Sequence, residues 1–265
     1  MNYSEICNQT KAAAQEAGAY IKSQIQNLSD KDVEYKGSHD LVSFVDKTAE
    51  TMIVEKLQKI LPEAGILAEE GTGSAENTSL LWIIDPLDGT TNFVSGLYPH
   101  AVSIALQQND RIVVGVVYEI GRDECFSAFE GGEAELNGQK ISVNRKSNLN
   151  DALISTGFPY NDFSRQEQFL ETLSYFMRET RGIRRFGSAA VDLCYFACGR
   201  FDAFYEYSLK PWDVAAGAFI AQKAGGRVSD FSGEKNFLFG REILAASPEL
   251  FEAFFKPIQS AFSAR

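Results

Sequence analysis

The stretch Leu80 to Phe93, LLWIIDPLDGTTNF, restricts the possible folds of this chain more than any other. It begins with five apolar residues, and a short run with aromatic and β-branched members predicts a fully buried strand. Two acids, Asp85 and Asp88, follow where that strand should end. Buried charges without partners are costly, so these carboxylates need a cation or a set of hydrogen-bond donors. The strand is therefore expected to lead into a ligand site.

The residues around the two acids indicate the kind of ligand. Pro86 has no backbone N–H and fixes φ, so the turn that carries both acids should be stiff. Gly89 allows a close approach of the backbone, and residues 90–92 are predicted to begin a helix whose free N–H groups favour an oxyanion such as phosphate. Oxygen ligands beside an anion site indicate Mg²⁺ that bridges to a phosphate. An Asp-Pro turn followed by a helix cap is the simpler alternative for this stretch alone.

Composition limits the class of protein. A chain of 265 residues can form one large domain or two modest ones, and 45% hydrophobic with 23% charged residues is ordinary for a soluble globular protein. The net charge of −11 argues against nucleic acid or an anionic membrane as the main partner. It leaves an anionic substrate possible, because bound cations can invert the local field.

The apolar segments, cysteines and histidines argue against membrane, disulfide-rich and most zinc or histidine-dependent proteins. No apolar run approaches the ~18 residues of a membrane span, and the N-terminus lacks a signal pattern, so a cytoplasmic location is expected. Four cysteines are too few and too scattered for a disulfide framework, and Cys194 and Cys198, four apart on a predicted helix, are expected to pack in the core. His39 and His100 are the only histidines, which excludes most zinc sites and most histidine-dependent nucleophiles.

The order of predicted elements divides the chain into two parts. Two amphipathic helices, at about 4–28 and from 45 to just before Pro62, precede strands with tight turns, which predicts an antiparallel sheet covered by helices. From residue 152 onward strands alternate with helices, which predicts a mostly parallel or mixed sheet with helices on both faces. A polar stretch at 144–150 marks the boundary. We therefore predict an N-terminal α+β domain, 1–145, and a C-terminal α/β domain, 146–265.

Three segments resemble one family of phosphatases. DPLDGTTNF, Asp85 to Phe93, resembles the signature of the inositol monophosphatase family, Mg²⁺-dependent and lithium-sensitive enzymes of the fructose-1,6-bisphosphatase-like superfamily. Residues 36–46, KGSHDLVSFVD, resemble the mobile loop of that family, and Trp212-Asp213 followed by VAAG resembles its second signature. The resemblance extends from residue 36 to 226. It implies a layered αβαβα sugar-phosphatase fold, a homodimer, and a small phosphorylated polyol or sugar-like substrate.

The resemblance also implies a metal site with two or three Mg²⁺ ions. Its ligands would be the Leu87 carbonyl and four carboxylates, those of Glu69, Asp85, Asp88 and Asp213. Ala68 stands where the family pattern G-E-E has glycine, a departure that affects backbone freedom more than chemistry.

Catalytic and substrate contacts are implied in the same way. Asp46 would pair with Thr90 to help deprotonate the attacking water beside the metal ligand Glu69, and the N–H groups of Gly89 and Thr90 would bind the phosphate. The substrate contacts would be Asp88, Gly187, Ser188, Ala189 and Glu206. Glu70 would support the metal site from behind, and Lys36 would lie on the loop near the phosphate.

Each acid has a simpler explanation when it is considered alone. Asp46 falls in the first turn of a helix, where a carboxylate is favoured, and Asp213 could merely cap a helix. Glu69 and Glu70 could be a solvated pair, and Glu206 an exposed acid at the end of a strand.

Several functions stay open at this level. Within the superfamily the alternatives are phosphatases of 3′-phosphoadenosine 5′-phosphate, fructose 1,6-bisphosphate and histidinol phosphate. Thr91-Asn92, where nucleotide-type relatives tend to carry a basic residue and an acid, favours a polyol monophosphate, whereas Lys210 could reach a second substrate anion. From other classes, the chain could be a regulatory member of the fold that binds another protein. A Ca²⁺-binding structural module is weaker, since no EF-hand spacing occurs.

Overall fold

The computed structural model describes residues 1–25, 33–35, 41–74 and 79–263. Its first layer is a pair of helices, α1 (Tyr3–Gln24) and α2 (Phe44–Ile60). Helix α1 begins after Asn2, whose side-chain oxygen accepts a hydrogen bond from the Glu5 N–H at 3.3 Å. A short antiparallel pair, β1 (Val33–Tyr35) and β2 (Leu41–Ser43), lies between the two helices in the chain. Both predicted helices are present, although the end predicted for the first near residue 28 lies outside the described residues.

The second layer is a seven-stranded sheet in chain order. Its strands are β3 (Gly65–Ala68), β4 (Leu80–Asp88), β5 (Ala101–Gln108), β6 (Arg111–Glu119), β7 (Glu124–Phe129), β8 (Glu135–Leu136) and β9 (Gln139–Lys140). The pairings are antiparallel, as predicted, except that β3 runs parallel to β4. The β5–β6 hairpin turns at Asn109 and Asp110, whose φ values of 45° and 63° match the left-handed two-residue turn that such residues favour.

The fourth layer is a mixed sheet of five strands. Its strands are β10 (Leu153–Thr156), β11 (Gly182–Arg184), β12 (Ala203–Tyr207), β13 (Arg227–Ser229) and β14 (Glu242–Ala246). The spatial order is β11-β10-β12-β14-β13, and β10 is parallel to both of its neighbours, whereas β14 is antiparallel to both of its own. The predicted alternation of strands and helices in this half is confirmed.

Helices form the third and fifth layers. Between the sheets lie α5 (Ala189–Ala197) and α6 (Pro211–Lys223), and outside the second sheet lie α4 (Gln166–Glu179) and α7 (Phe251–Ser263). Every residue of α5 is buried, because sheets or helices cover it on all sides. The fold is therefore the layered αβαβα arrangement that the resemblance implied.

The apolar core follows these layers. Outer cores lie beneath α1 and α2 and beneath α4 and α7, where the rings of Phe176 and Phe254 stack with centroids 4.9 Å apart. The middle core joins residues of both sheets through α5 and α6 and includes the buried Cys194, while Cys198 is partly buried against it. The division at 145/146 stays a proposal, since this core contains residues from either side of it. No helix in the described part of the chain is long and apolar enough to cross a membrane.

Candidate active site

The two signature acids lie at the end of β4. The strand continues through both acids instead of turning at Pro86, and its register against β5 shifts between Asp85 and Asp88. Proline without an N–H is compatible with such an irregularity, since that position need not donate to the neighbouring strand. The Leu87 N–H donates to Asp85 Oδ1 at 2.9 Å, which holds the carboxylate at the strand end. The predicted buried strand is confirmed, and the stiff turn is replaced by a bulged strand.

Gly89 joins this strand to the short helix α3 (Thr90–Val94). Its φ of 92° lies in the left-handed region, and a Cβ there would stand 3.1 Å from the Pro99 carbonyl oxygen and 3.3 Å from that of Gly187. Glycine therefore fits because of both conformation and space. The helix predicted at 90–92 is present but has only five residues.

Five carboxylates line one cavity of about 610 Å³. They are Glu69, Asp85, Asp88, Glu206 and Asp213. Burial raises the pKa of Asp85 well above its ordinary value, and the charges of three others in this set raise it further. Burial likewise raises the pKa of Asp213, with the charge of Asp88 the next cause, and raises that of Asp88 to about 6. The acids therefore lie within one another's electrostatic field.

These residues fit a divalent cation. No three acidic, histidine or cysteine side chains in the described ranges form a ready ligand cluster, although five carboxylates line the one cavity. Buried carboxylates that raise one another's pKa are relieved by a hard cation with oxygen ligands, as Mg²⁺ is. The donor set, four acids beside the Leu87 position of the same cavity, matches that chemistry.

Asp46 and Thr90 meet beside the signature acids. The Thr90 hydroxyl lies 3.0 Å from Asp46 Oδ1 and 3.0 Å from the Leu87 carbonyl oxygen. Asp46, in the first turn of α2, is 1% exposed. A carboxylate that served only the helix end would lie in solvent, so burial against Thr90 argues for a role in the site.

Glu69 follows β3 and lines the cavity. Hydrogen bonds to the backbone of residues 69–72 fix the loop that carries it. Its N–H donates to the Ile84 carbonyl at 3.2 Å, which continues the β3–β4 pairing. The buried carboxylate of Glu50, on α2, accepts hydrogen bonds from the N–H groups of Glu70 at 2.7 Å and Thr72 at 2.8 Å. Glu69 and Glu70 are therefore not a solvated pair. Sequence reasoning missed Glu50, which no motif marks.

The second half of the chain approaches Asp88 through the start of α5. Ser188 Oγ donates to Asp88 Oδ2 at 2.6 Å, and the Ala190 N–H donates to the same oxygen at 2.8 Å. Gly187 and Ala189 line the cavity beside them. Asn92 adds a second link, since its amide donates to the Pro99 carbonyl at 2.8 Å and the Phe186 carbonyl at 2.7 Å.

Asp213 and Glu206 complete the acidic wall. Asp213 accepts a hydrogen bond from the Lys210 N–H at 2.7 Å, so it caps α6 and lines the cavity at once. Glu206, at the end of β12, is only 7% exposed, so its interpretation as an exposed strand-end acid is wrong. A Cβ on Gly157 would stand 1.9 Å from Glu206 Oε1, so the loop after β10 packs directly on this carboxylate.

Arg185, Pro159, Tyr160 and Phe163 also line the cavity, and sequence reasoning missed them. Only the aromatic character of residues 158–163 could have drawn attention to that loop. Burial raises the pKa of Glu206, and the charge of the buried Asp192 raises it further. Arg185 opposes these effects but does not cancel them. Lys36, predicted near the phosphate, lies outside the described residues.

Comparisons with known proteins show which family the chain resembles in sequence and fold. Residues 2–262 match the inositol monophosphatase family. The Nus factor SuhB of Pseudomonas aeruginosa is 43% identical over 252 residues, which cover 93% of each chain. The crystal structure of the extragenic suppressor protein suhB from Bartonella henselae superposes with a TM-score of 0.90 at 37% identity, over 96% of this chain and 98% of that one.

An inositol monophosphatase from Anabaena is equally informative. Its structure has a TM-score of 0.87 and 32% identity, and each chain is covered in full, 100%. The family match, the curated relative and the superposed structures lead to the same assignment: the chain belongs to the inositol monophosphatase family.

Proposed function

We propose that this protein is a Mg²⁺-dependent phosphatase that hydrolyses a small phosphate monoester of a polyol, inositol monophosphate before others, to the alcohol and inorganic phosphate. The observation that carries the proposal is the single cavity in which four buried or partly buried carboxylates, from β4, α6 and the residue after β3, lie beside the Thr90–Asp46 pair. Family membership supports the reaction class.

Mg²⁺ would be held by Glu69, Asp85, Asp88, Asp213 and the carbonyl of Leu87, two or three ions in all. Once bound, it would neutralise phosphate charge and lower the pKa of a water molecule. That is the contribution of the ion, and the protein's own groups have separate tasks.

Thr90 and Asp46 would handle the proton of the attacking water. The Thr90 hydroxyl already donates towards Asp46, so its lone pairs can accept from a water placed in line with the phosphorus. As the water attacks, its proton would pass to Thr90 while the hydroxyl proton of Thr90 moves to Asp46. The N–H groups of Gly89 and Thr90 would bind the phosphate oxygens, and another water would protonate the leaving alkoxide.

The alcohol would be held on the opposite side of the phosphate. Asp88 and Glu206 offer carboxylate oxygens to ring hydroxyls, and the start of α5, at residues 187–189, forms the adjoining wall. Because the Ser188 and Ala190 donors occupy Asp88 Oδ2, the other oxygen of Asp88 is the one left for a ligand.

Phosphate release from a panel of esters tests this proposal. The panel holds myo-inositol 1-phosphate, 3′-phosphoadenosine 5′-phosphate, fructose 1,6-bisphosphate and histidinol phosphate, each with Mg²⁺ and with or without lithium. We expect fastest turnover of the inositol ester and inhibition by lithium. Preference for another ester would retain the reaction class and change the substrate, whereas no release from any of them would overturn the proposal.

A second candidate function follows from the names of the relatives. Several curated relatives at about 40% identity are Nus factors, which points to a transcription-related role and to protein partners in transcription complexes. We propose this as an additional role, since retention of every expected acid argues against a purely regulatory protein. Co-elution of the protein and its Asp88→Asn variant with a purified bacterial elongation complex tests it, and failure of both to co-elute would remove it. The homodimer and the cytoplasmic location stay predictions, the first open to analytical ultracentrifugation.

A further inference from the structure

The loop that follows β10 is fixed against the cavity by packing. Gly157 lies on the Glu206 carboxylate with no room for a side chain. Phe158 then turns away, with its ring 6.0 Å from that of Phe169 in an edge-on contact and 5.7 Å from the Arg185 guanidinium carbon. Between these anchors and α4, Pro159, Tyr160 and Phe163 line the cavity.

Tyr160 lines the same cavity as the acids, although 39% of its surface is exposed. Burial raises the pKa of its hydroxyl, and the charges of Asp213, Glu206, Glu69 and Asp88 raise it further. No hydrogen bond joins that hydroxyl to any residue the structure describes. The phenol group therefore lines the cavity with its hydrogen-bond donor uncommitted.

We propose that Tyr160 is a specificity-determining residue, whose hydroxyl donates a hydrogen bond to a hydroxyl group on the alcohol part of the substrate. The proposal rests on the function proposed above and names the feature of the substrate that this wall of the cavity recognises. Its neighbour in the loop, Phe163, has an aromatic ring without a donor and cannot replace it.

The carboxylates and the Tyr160 hydroxyl that line the cavity explain why a substrate hydroxyl is the group that this site would recognise. A hydroxyl donates one hydrogen bond and accepts others, so one group can donate to a carboxylate such as Glu206 and accept from Tyr160. An ether, a methyl group or an aryl carbon cannot do both. A tyrosine hydroxyl, with an ordinary pKa of about 10, is protonated throughout the neutral pH range and is therefore available as a donor. A site built to hydrogen-bond a hydroxyl selects against esters that lack one.

The variant Tyr160→Phe removes the donor and keeps the ring. KM and kcat are measured for myo-inositol 1-phosphate and for p-nitrophenyl phosphate, whose leaving group has no further hydroxyl. We expect KM for the inositol ester to rise about 3- to 10-fold, the value of one neutral hydrogen bond, with kcat and the aryl ester within about twofold. The control is Tyr175→Phe, on α4 and outside the cavity lining, which should change neither ester.

An unchanged KM for the inositol ester, or an equal rise of KM for both esters, would overturn the proposal. A fall in kcat alone would also overturn it, because the hydroxyl would then act in the chemical step. If the wild-type protein hydrolyses none of the panel esters, the proposed function fails, and isothermal titration calorimetry then tests the role of Tyr160 separately. A phosphonate analogue of myo-inositol 1-phosphate should bind Tyr160→Phe more weakly than wild type by the same factor, with methylphosphonate unaffected; equal affinity, or no binding by wild type, would reject the role.

Discussion

The hydroxyl of Ser188 donates a 2.6 Å hydrogen bond to the Asp88 carboxylate, which links the end of β4 to the start of a helix 100 residues later. The bond explains why the cavity requires both sheets. Asp88 comes from the first sheet, and the groups that orient its carboxylate come from the layer between the two sheets. Each half of the chain therefore holds only part of the candidate site.

Asp88→Asn should abolish phosphate release without unfolding the protein. The amide keeps the shape and one acceptor for the Ser188 and Ala190 donors but loses the charge that a cation needs. We expect turnover to fall by at least about 10²-fold, as for loss of a major electrostatic group. Phosphate release and circular dichroism check this together. Turnover close to wild type would contradict the assignment of Asp88 as a metal ligand.

Thr90→Val should slow the reaction far more than Thr90→Ser. Valine keeps the branched shape but removes the hydroxyl that reaches Asp46, whereas serine retains it. Since a positioned proton-transfer group contributes about 10²- to 10⁴-fold, kcat of the valine variant should fall within that range. Steady-state kinetics of both variants, with substrate in excess, provide the measurement. Equal activity of the two would show that the Thr90 hydroxyl has no part in proton transfer.

Without divalent ions, Asp88 should make stability fall as pH rises. Burial raises its folded-state pKa to about 6, above its ordinary value of 3.8, so the folded state binds a proton more tightly than the unfolded state does. That contribution is fully present below about pH 4 and is lost as pH rises through about 6. In the presence of a chelator, the Tm of Asp88→Asn should lie within about one degree of the wild-type Tm at pH 4 and a few degrees above it at pH 7. Differential scanning calorimetry at several pH values measures the difference in Tm between the two proteins. A difference that shrinks towards pH 7 would contradict the predicted direction. Mg²⁺ should raise the wild-type Tm.

Gly157→Ala should weaken binding of polyol esters. The new Cβ would stand 1.9 Å from Glu206 Oε1, so the carboxylate must leave its position in the cavity wall. We expect KM for myo-inositol 1-phosphate to rise about tenfold, the loss expected for one hydrogen bond to a charged group. Gly182→Ala, on β11 beside the strand that precedes Gly157, is the control, since its Cβ would meet only ordinary contacts, 3.4 Å or more away. Similar KM values for both variants would show that Glu206 does not contact the alcohol.

The fold could be predicted largely from local patterns. The apolar run before Asp85 predicted β4 because a strand buried on both faces must be apolar at nearly every position. Alternation of strands and helices beyond residue 152 predicted the second sheet, because such alternation is typical of a parallel or mixed sheet covered by helices. The parallel pairing of β3 with β4 was not predicted, since it joins segments that are separated in the chain and carries no turn signal of its own.

The sequence by itself determined the kinds of groups in the candidate site: carboxylates, a threonine hydroxyl and glycines, at spacings that indicate a cation and a phosphate. Only the tertiary structure decided which groups share one cavity. No motif marks Tyr160, which lines the cavity, or Glu50, which holds the backbone of Glu70 behind it. Glu206 proved to be buried, whereas its sequence position was compatible with exposure. The physical reason is that charge, burial and hydrogen bonding depend on distances in space. Packing of α5 and α6 between two sheets sets those distances, and no local stretch of sequence contains them.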